Sequence, residues 1–346
     1  MRGLYWDGHW QLREDLPKPE VWAGEALLRV RLAGICGTDL EIARGYVDFQ
    51  GIPGHEFVGE VVAAPDSDWL GRRVVGEINC VCGRCGPCQR RERSHCRNRT
   101  ALGIRGRDGA FAEYCLLPLE NLHPVPETMA DTTAVFVEPL AAALAIVQDN
   151  HIRPADRVMV VGDGRLGQLV ARVLRLTGCD LTVIGHHQGH LDLLARLGIA
   201  TSLEKDASPA ECATLVVECT GHAAGFATAR RMVRPRGTIV LKSTFSDTSE
   251  IDTTDLVVNE ITLRGSRCGP FRPALRLLAT GLVSVADLVE AVYPLSAGLA
   301  AIDHAQRPGV RKVLLAINPP EYHADKPILA QTRLLDDSLQ RDTPHG

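Results

Sequence analysis

The chain has little net charge and no long apolar run. Its 38 basic and 42 acidic residues leave a formal net charge of -4, which argues against a general nucleic-acid or membrane binder. No uncharged apolar stretch reaches the roughly 18 residues needed to span a bilayer. The opening Met1-Arg-Gly-Leu-Tyr-Trp-Asp7 lacks the apolar core of a signal peptide. A cytoplasmic protein is therefore expected, with its 11 cysteines reduced or bound to metal. Hydrophobic residues at 45% and charged ones at 23% are ordinary globular values, and 346 residues suffice for about two domains.

What is present is concentrated in one stretch. Cys82, Cys85, Cys88 and Cys96 have the spacing C-x2-C-x2-C-x7-C, which suits a closed tetrahedral zinc site. A disulfide cluster needs an oxidising compartment, and iron–sulfur centres usually use other spacings. Four thiolates leave no open position, so such a site holds a loop and does no chemistry. The interleaved Arg84, Arg90, Arg91 and Arg93 read as a solvated rim rather than a nucleic-acid ribbon, because the chain as a whole is acidic.

Upstream, residues 20–32 alternate apolar and charged positions, as a half-exposed strand does. Cys36 follows between two glycines, and His55 and Glu56 open a second strand-like run. A lone Cys or a lone His is ordinarily a packed core residue. Downstream, the apolar run Arg157–Val161 leads into Gly162-Asp-Gly-Arg-Leu-Gly167 and then a helical segment. In that setting Gly162, Gly164 and Gly167 supply a tight turn and a close approach to pyrophosphate. Arg165 and Leu166 open the helix whose N-terminus favours the anion.

Four motifs in register carry a family resemblance: Gly34-Ile-Cys-Gly-Thr-Asp39, Gly54-His-Glu56, the four-cysteine lobe and the glycine fingerprint. Gly109-Ala-Phe-Ala-Glu-Tyr114 and Val137-Glu-Pro-Leu140 add to them. Over residues 20–318 the chain resembles the zinc-dependent medium-chain alcohol dehydrogenases, on the branch acting on polyols and sugars.

The resemblance implies an α/β fold: a doubly wound parallel Rossmann sheet plus a mainly β GroES-like catalytic domain bearing the structural zinc lobe. The expected boundaries are 1–140 for the catalytic domain, 141–267 for the dinucleotide-binding domain, 268–318 for the return to the catalytic domain and 319–346 for a surface tail. It implies a catalytic zinc on Cys36, His55 and a carboxylate. Glu138 is favoured as the third ligand, with Glu56 exchangeable or behind it. Glu138 at a helix start also suits the macrodipole alone. Thr38 is implied as the group that takes the substrate proton, although Thr38-x-x-Glu41 is also a helix capping box. Thr220, the turn at Lys242-Ser243 and Arg267 are implied to lie near the nicotinamide. The strand over residues 261–267 is expected to serve dimer contact in a homodimer or homotetramer.

Cofactor choice rests on the end of the strand Asp180–Ile184, where an acid would hold the ribose 2'-OH. Asp180 stands at the wrong end, about 13 Å away at ~3.3 Å per residue. Gly185 takes the expected place, followed by His186 and His187. NAD(P) is therefore expected, with NADP favoured, although the family's usual phosphate-binding Arg is absent. His186, His187 and His190 read as an exposed turn rather than a metal cluster. The loops 46–50 and 268–271 are expected to line a pocket for a small alcohol or carbonyl compound. The function implied is reversible hydride transfer between such an alcohol and NAD(P). The competing readings are an inactive zinc- and nucleotide-binding regulator on the same fold and a zinc-free quinone reductase.

Overall fold

The computed structural model describes residues 1–207, 212–245 and 248–319. Apart from Pro319, the expected C-terminal tail lies outside these. Besides two small two-stranded sheets, the first block of the chain contributes strands β1 (Glu25–Gly34), β2 (Glu56–Ala63), β3 (Arg73–Gly76), β4 (Tyr114–Pro118) and β5 (Leu122–Pro124). The next block comprises β6 (Arg157–Val161), β7 (Asp180–Gly185), β8 (Ala200–Leu203), β9 (Ala213–Glu218), β10 (Val233–Leu241) and β11 (Thr262–Gly265). Two last strands follow, β12 (Val289–Pro294) and β13 (Lys312–Ala316). Four helices matter for the site: α1 (Gly37–Ile42), α2 (Val137–Asp149), α3 (Arg165–Arg175) and α4 (Gln188–Ala195).

The middle block forms a six-stranded, all-parallel sheet in the order β8-β7-β6-β9-β10-β11. This is the doubly wound arrangement in which the order reverses beside the first strand, opening a crevice at the carboxyl ends. Val158, Val160 and Val161 of β6 are buried, as are Leu181, Val183 and Ile184 of β7. Burial on both faces explains why these strands read as continuous apolar runs.

The other strands form a mostly antiparallel sheet in the order β12-β13-β1-β2-β3-β5, with β4 pairing β1. The final segment thus returns to the first domain: β13 lies antiparallel to β1, with Leu315 opposite Ala33. Residues 286–291, which resemble a helix in sequence, form instead a short 3-10 turn at Ala286–Leu288 and the start of β12. Pairing with β13 wins over local preference there. The stretch Asp131–Asp149 is long and apolar enough to cross a membrane by length and composition, but 61% of it is buried within the protein.

Candidate active site

The site is built where β1 hands over to α1. Cys36 is the N-cap of α1 with extended backbone, and Asp39 at the third helical position accepts the Cys36 N–H at 2.8 Å. The helix therefore starts from a Cys-x-x-Asp box rather than from the Thr38-x-x-Glu41 pattern. Glu41 instead pairs with Arg44 at 2.7 Å. Thr38 is left half-buried in the first turn of α1, two residues from the Cys36 sulfur.

Next to α1, β2 begins at Glu56, with His55 immediately before it. The ligand atoms of Cys36, His55 and Glu56 all lie within 4.8 Å of one another. Separations under about 5 Å, near twice a metal–ligand bond, are what one shared ion requires. His55 Nδ1 is 3.2 Å from Asp39 Oδ1, both buried. Burial opposes charge on His55, yet Asp39 and the Cys36 sulfur outweigh it and hold the imidazole pKa well above its usual value. Lys312 on β13 donates to Glu56 Oε2 and, at 3.3 Å, to the carbonyl of Ile35. Glu56 Oε1, fully buried, has no hydrogen-bond partner among the described residues. A sulfur, an imidazole and an orphaned carboxylate oxygen form a donor set suited to zinc.

Glu138 does not join this trio. It sits half-buried in the first turn of α2 and lines a cleft of about 250 Å³ with Glu77, Asn79, Ser94 and Cys268. Burial pushes its pKa up to about 7, opposed by His55 and reinforced by Glu56. Of the two carboxylates, the structure brings Glu56 within 4.8 Å of the Cys36 and His55 ligand atoms. Glu56 is drawn to the site by Lys312 of β13, which donates to it, whereas Glu138 comes from a separate helix. Of the two loops expected at the pocket, Cys268–Phe271 lines this cleft and residues 46–50 do not. A larger cleft of about 480 Å³, around Trp69 and Arg272, contains none of the site residues.

The four lobe sulfurs lie together. Cys85 is 3.4 Å from Cys88 and 3.8 Å from Cys96, and Cys96 is 3.6 Å from Cys82. Tetrahedral zinc at ~2.3 Å spaces sulfurs about 3.8 Å apart, whereas a disulfide needs about 2.05 Å. Backbone N–H groups of Arg84 and Cys85 draw the Cys82 pKa down to about 6, which favours the thiolate.

On the nucleotide side, Gly162 has φ 115°, and a Cβ on Gly167 would come within 2.0 Å of the Gly162 carbonyl oxygen. Only glycine fits at either position. Leu166 packs against the main core. Arg165 turns away from the fingerprint, its Nε donating to the Arg311 carbonyl at 2.9 Å and its terminal nitrogen to that of Ala305. Burial lowers the Arg165 pKa, against the pull of Cys36, Glu56 and Asp39. Geometry links the fingerprint helix to the metal-type cluster through two consecutive residues: Arg165 donates to the Arg311 carbonyl, and Lys312 donates to Glu56.

Thr220 follows the end of β9 next to Gly162, where its N–H and hydroxyl both donate to Glu218 at 2.6 Å. Lys242 is buried after β10, donating to Ser266 Oγ at 3.1 Å, and burial lowers its pKa to about 8. Arg267 is exposed and donates to the Ser94 carbonyl at 2.8 Å, so it is tied to the cysteine lobe rather than turned toward the fingerprint. His186 pairs with Glu204.

The expected absence of an acid at the end of β7 does not hold. Asp163, inside the fingerprint, reaches Gly185 and accepts the His187 N–H at 2.8 Å. Three residues thus acquire places that the motifs did not reveal. Asp39 and Asp163 each sit inside a recognised motif, whereas Lys312 gives no signal in sequence.

Comparison with known proteins agrees with this geometry. Residues 22–127 match the family described as alcohol dehydrogenase GroES-like domain, and residues 166–280 match zinc-binding dehydrogenase. An L-threonine 3-dehydrogenase of Chelativorans sp. (strain BNC1) is 32% identical over 75% of this chain and 80% of its own. A zinc-binding dehydrogenase from Sinorhizobium meliloti 1021 bound to NADP superposes with a TM-score of 0.83 at 29% identity, covering 91% of this chain and 98% of its own. A dehydrogenase from E. coli CFT073 complexed with NADH gives 0.81 at 26% identity, over 92% and 99%. With its metal-type cluster beside a Rossmann crevice, the chain belongs to the zinc-dependent medium-chain alcohol dehydrogenases, a family of oxidoreductases.

Proposed function

We propose that the protein transfers hydride between a secondary alcohol, polyol or sugar and NAD(P), at a metal held by Cys36, His55 and Glu56. A second metal held by Cys82, Cys85, Cys88 and Cys96 is structural. The carrying observation is the meeting of Cys36, His55 and Glu56 within 4.8 Å, linked to the fingerprint helix through Arg311 and Lys312.

A zinc ion held by Cys36, His55 and Glu56 would supply Lewis acidity to a substrate hydroxyl, and a dinucleotide held at the fingerprint would supply the hydride acceptor. The chain supplies everything else. Asp39 sets the orientation of His55, and Lys312 balances the charge of Glu56 so that one of its oxygens stays free. Thr38, two residues after Cys36 in the first turn of α1, is the residue we assign to relaying the hydroxyl proton: its oxygen would take that proton as its own O–H proton passes on towards the cofactor ribose. Glu138 and Cys268 line the substrate side of the cleft, where Glu138 accepts hydrogen bonds from further hydroxyls. The domains divide as 1–140 with 268–318 against 141–267. Strand β11 at the sheet edge, with Val257 76% and Val258 74% exposed just before it, is the surface for a homodimer or homotetramer.

The test is an assay of zinc-loaded protein on a panel of secondary alcohols, polyols and sugars, with each dinucleotide. Turnover should appear and fall by about 1000-fold or more in C36S and H55A, with melting temperatures close to wild type. Zinc-loaded protein inactive across the panel would leave only a binding protein, and full activity in C36S would remove the metal from the chemistry.

A further inference from the structure

The second position of the fingerprint is an acid, Asp163, and the strand beside it ends in Gly185. In a doubly wound nucleotide domain, the acid that holds the adenosine ribose stands at the end of that strand. A Cβ built on Gly185 would lie 2.5 Å from both Cβ and Cγ of Asp163 and 2.8 Å from its Oδ2. The volume that a side chain at 185 would fill is therefore already filled by the Asp163 carboxyl group. An acid at 185 and Asp163 cannot coexist.

The surroundings show how this carboxylate is held. Asp163 is 4% exposed, and its Oδ2 accepts the backbone N–H of His187 at 2.8 Å. His187 Nδ1 lies 3.4 Å from Oδ1, and the His187 side chain is 43% exposed. His190 Nε2 is 2.9 Å from the carbonyl of Gly309. A carbonyl only accepts, so that nitrogen carries the proton, and a neutral His190 presents a lone pair at Nδ1. This buried Nδ1 has no hydrogen-bond partner among the described residues and lies 3.8 Å from Asp163 Oδ2. The Asp163 carboxylate and this nitrogen together offer acceptor positions to a ligand O–H. A ribose 2',3'-diol brings two O–H donors. A 2'-phosphate at neutral pH brings acceptors and further negative charge.

We propose that Asp163, carried by the fingerprint loop instead of the strand end, binds the adenosine ribose hydroxyls and sets a preference for NAD over NADP. The inference rests on the dinucleotide-binding reading above and reverses the preference expected from Gly185-His186-His187. Of the two histidines that follow Gly185 in sequence, His187 lies against the Asp163 carboxylate whereas His186 pairs with Glu204.

The test is titration of NADH and NADPH into the zinc-loaded full chain, followed by nucleotide fluorescence and needing no alcohol substrate. Wild type should bind NADH tighter by roughly tenfold or more, and D163N should bring the two affinities within about threefold. D163G/G185D, which returns the acid to the strand, should restore the NADH preference. That rescue separates a ribose contact from a merely structural role for Asp163. Tighter NADPH binding by wild type, or an unmoved ratio in D163N, would overturn the proposal. So would a third equivalent of zinc that D163N loses, since the ligand atoms of Asp163, His187 and His190 also lie within 4.8 Å of one another. Failure of wild type to bind either nucleotide would instead defeat the dinucleotide-binding reading itself.

Discussion

Asp39 shows how much of this site is decided one residue behind the ligands. Its carboxylate is wholly buried, held on one side by the Cys36 N–H and facing His55 Nδ1 at 3.2 Å on the other. Partners of this kind fix ring orientation and basicity, and losing them typically weakens metal affinity about 10–100-fold. Asp39→Asn should therefore lose zinc to a competing chelator within that range while the four-cysteine site keeps its own. Equal retention at both sites would show that Asp39 serves only to start α1. Cys36 and His55 were legible because each stands in a short motif with glycine neighbours. The choice between Glu56 and Glu138 was not, since it depends on where a separate helix begins.

At the scale of elements, the cysteine lobe is a folding unit in its own right. Between Cys82 and Cys96 the chain forms only short turns, a four-residue helix at Gly86–Gln89 and a 3-10 turn at Arg93–His95. So little regular structure leaves the metal to hold the loop, as structural zinc sites do. Cys88→Ser should halve the zinc content from about two to one per chain and lower the melting temperature, with surviving folded protein still turning over. Unchanged melting with lost turnover would contradict the assignment. The lobe and the strand–fingerprint–helix unit were readable because each is local, with its signal inside about twenty residues. The strand at Val289–Pro294 has no such local signal, because it is defined by pairing with β13.

The whole molecule places the two halves of the chemistry side by side, and Arg165 joins them. From the first turn of the nucleotide-domain helix it donates to the Arg311 and Ala305 carbonyls of the returning segment. Its burial lowers its pKa, so its contacts are made in place of water. Arg165→Ala leaves those carbonyls without this donor, at a cost of about 1–3 kcal/mol, and loosens the contact between the domains. The expected result is a raised KM for both dinucleotides and a lowered melting temperature, with metal content unchanged. A variant that binds nucleotide normally would show that the bridge is incidental.

The sequence by itself determined the ligand types, the closed four-thiolate site and the alternation of strand, glycine turn and helix, because these depend on neighbours along the backbone. Tertiary structure alone decided that Glu56 and not Glu138 meets Cys36 and His55, that Lys312 answers Glu56 across 256 residues, and that Asp163 fills the space over Gly185. Those outcomes depend on which atoms reach the same small volume once strands from opposite ends of the chain are paired.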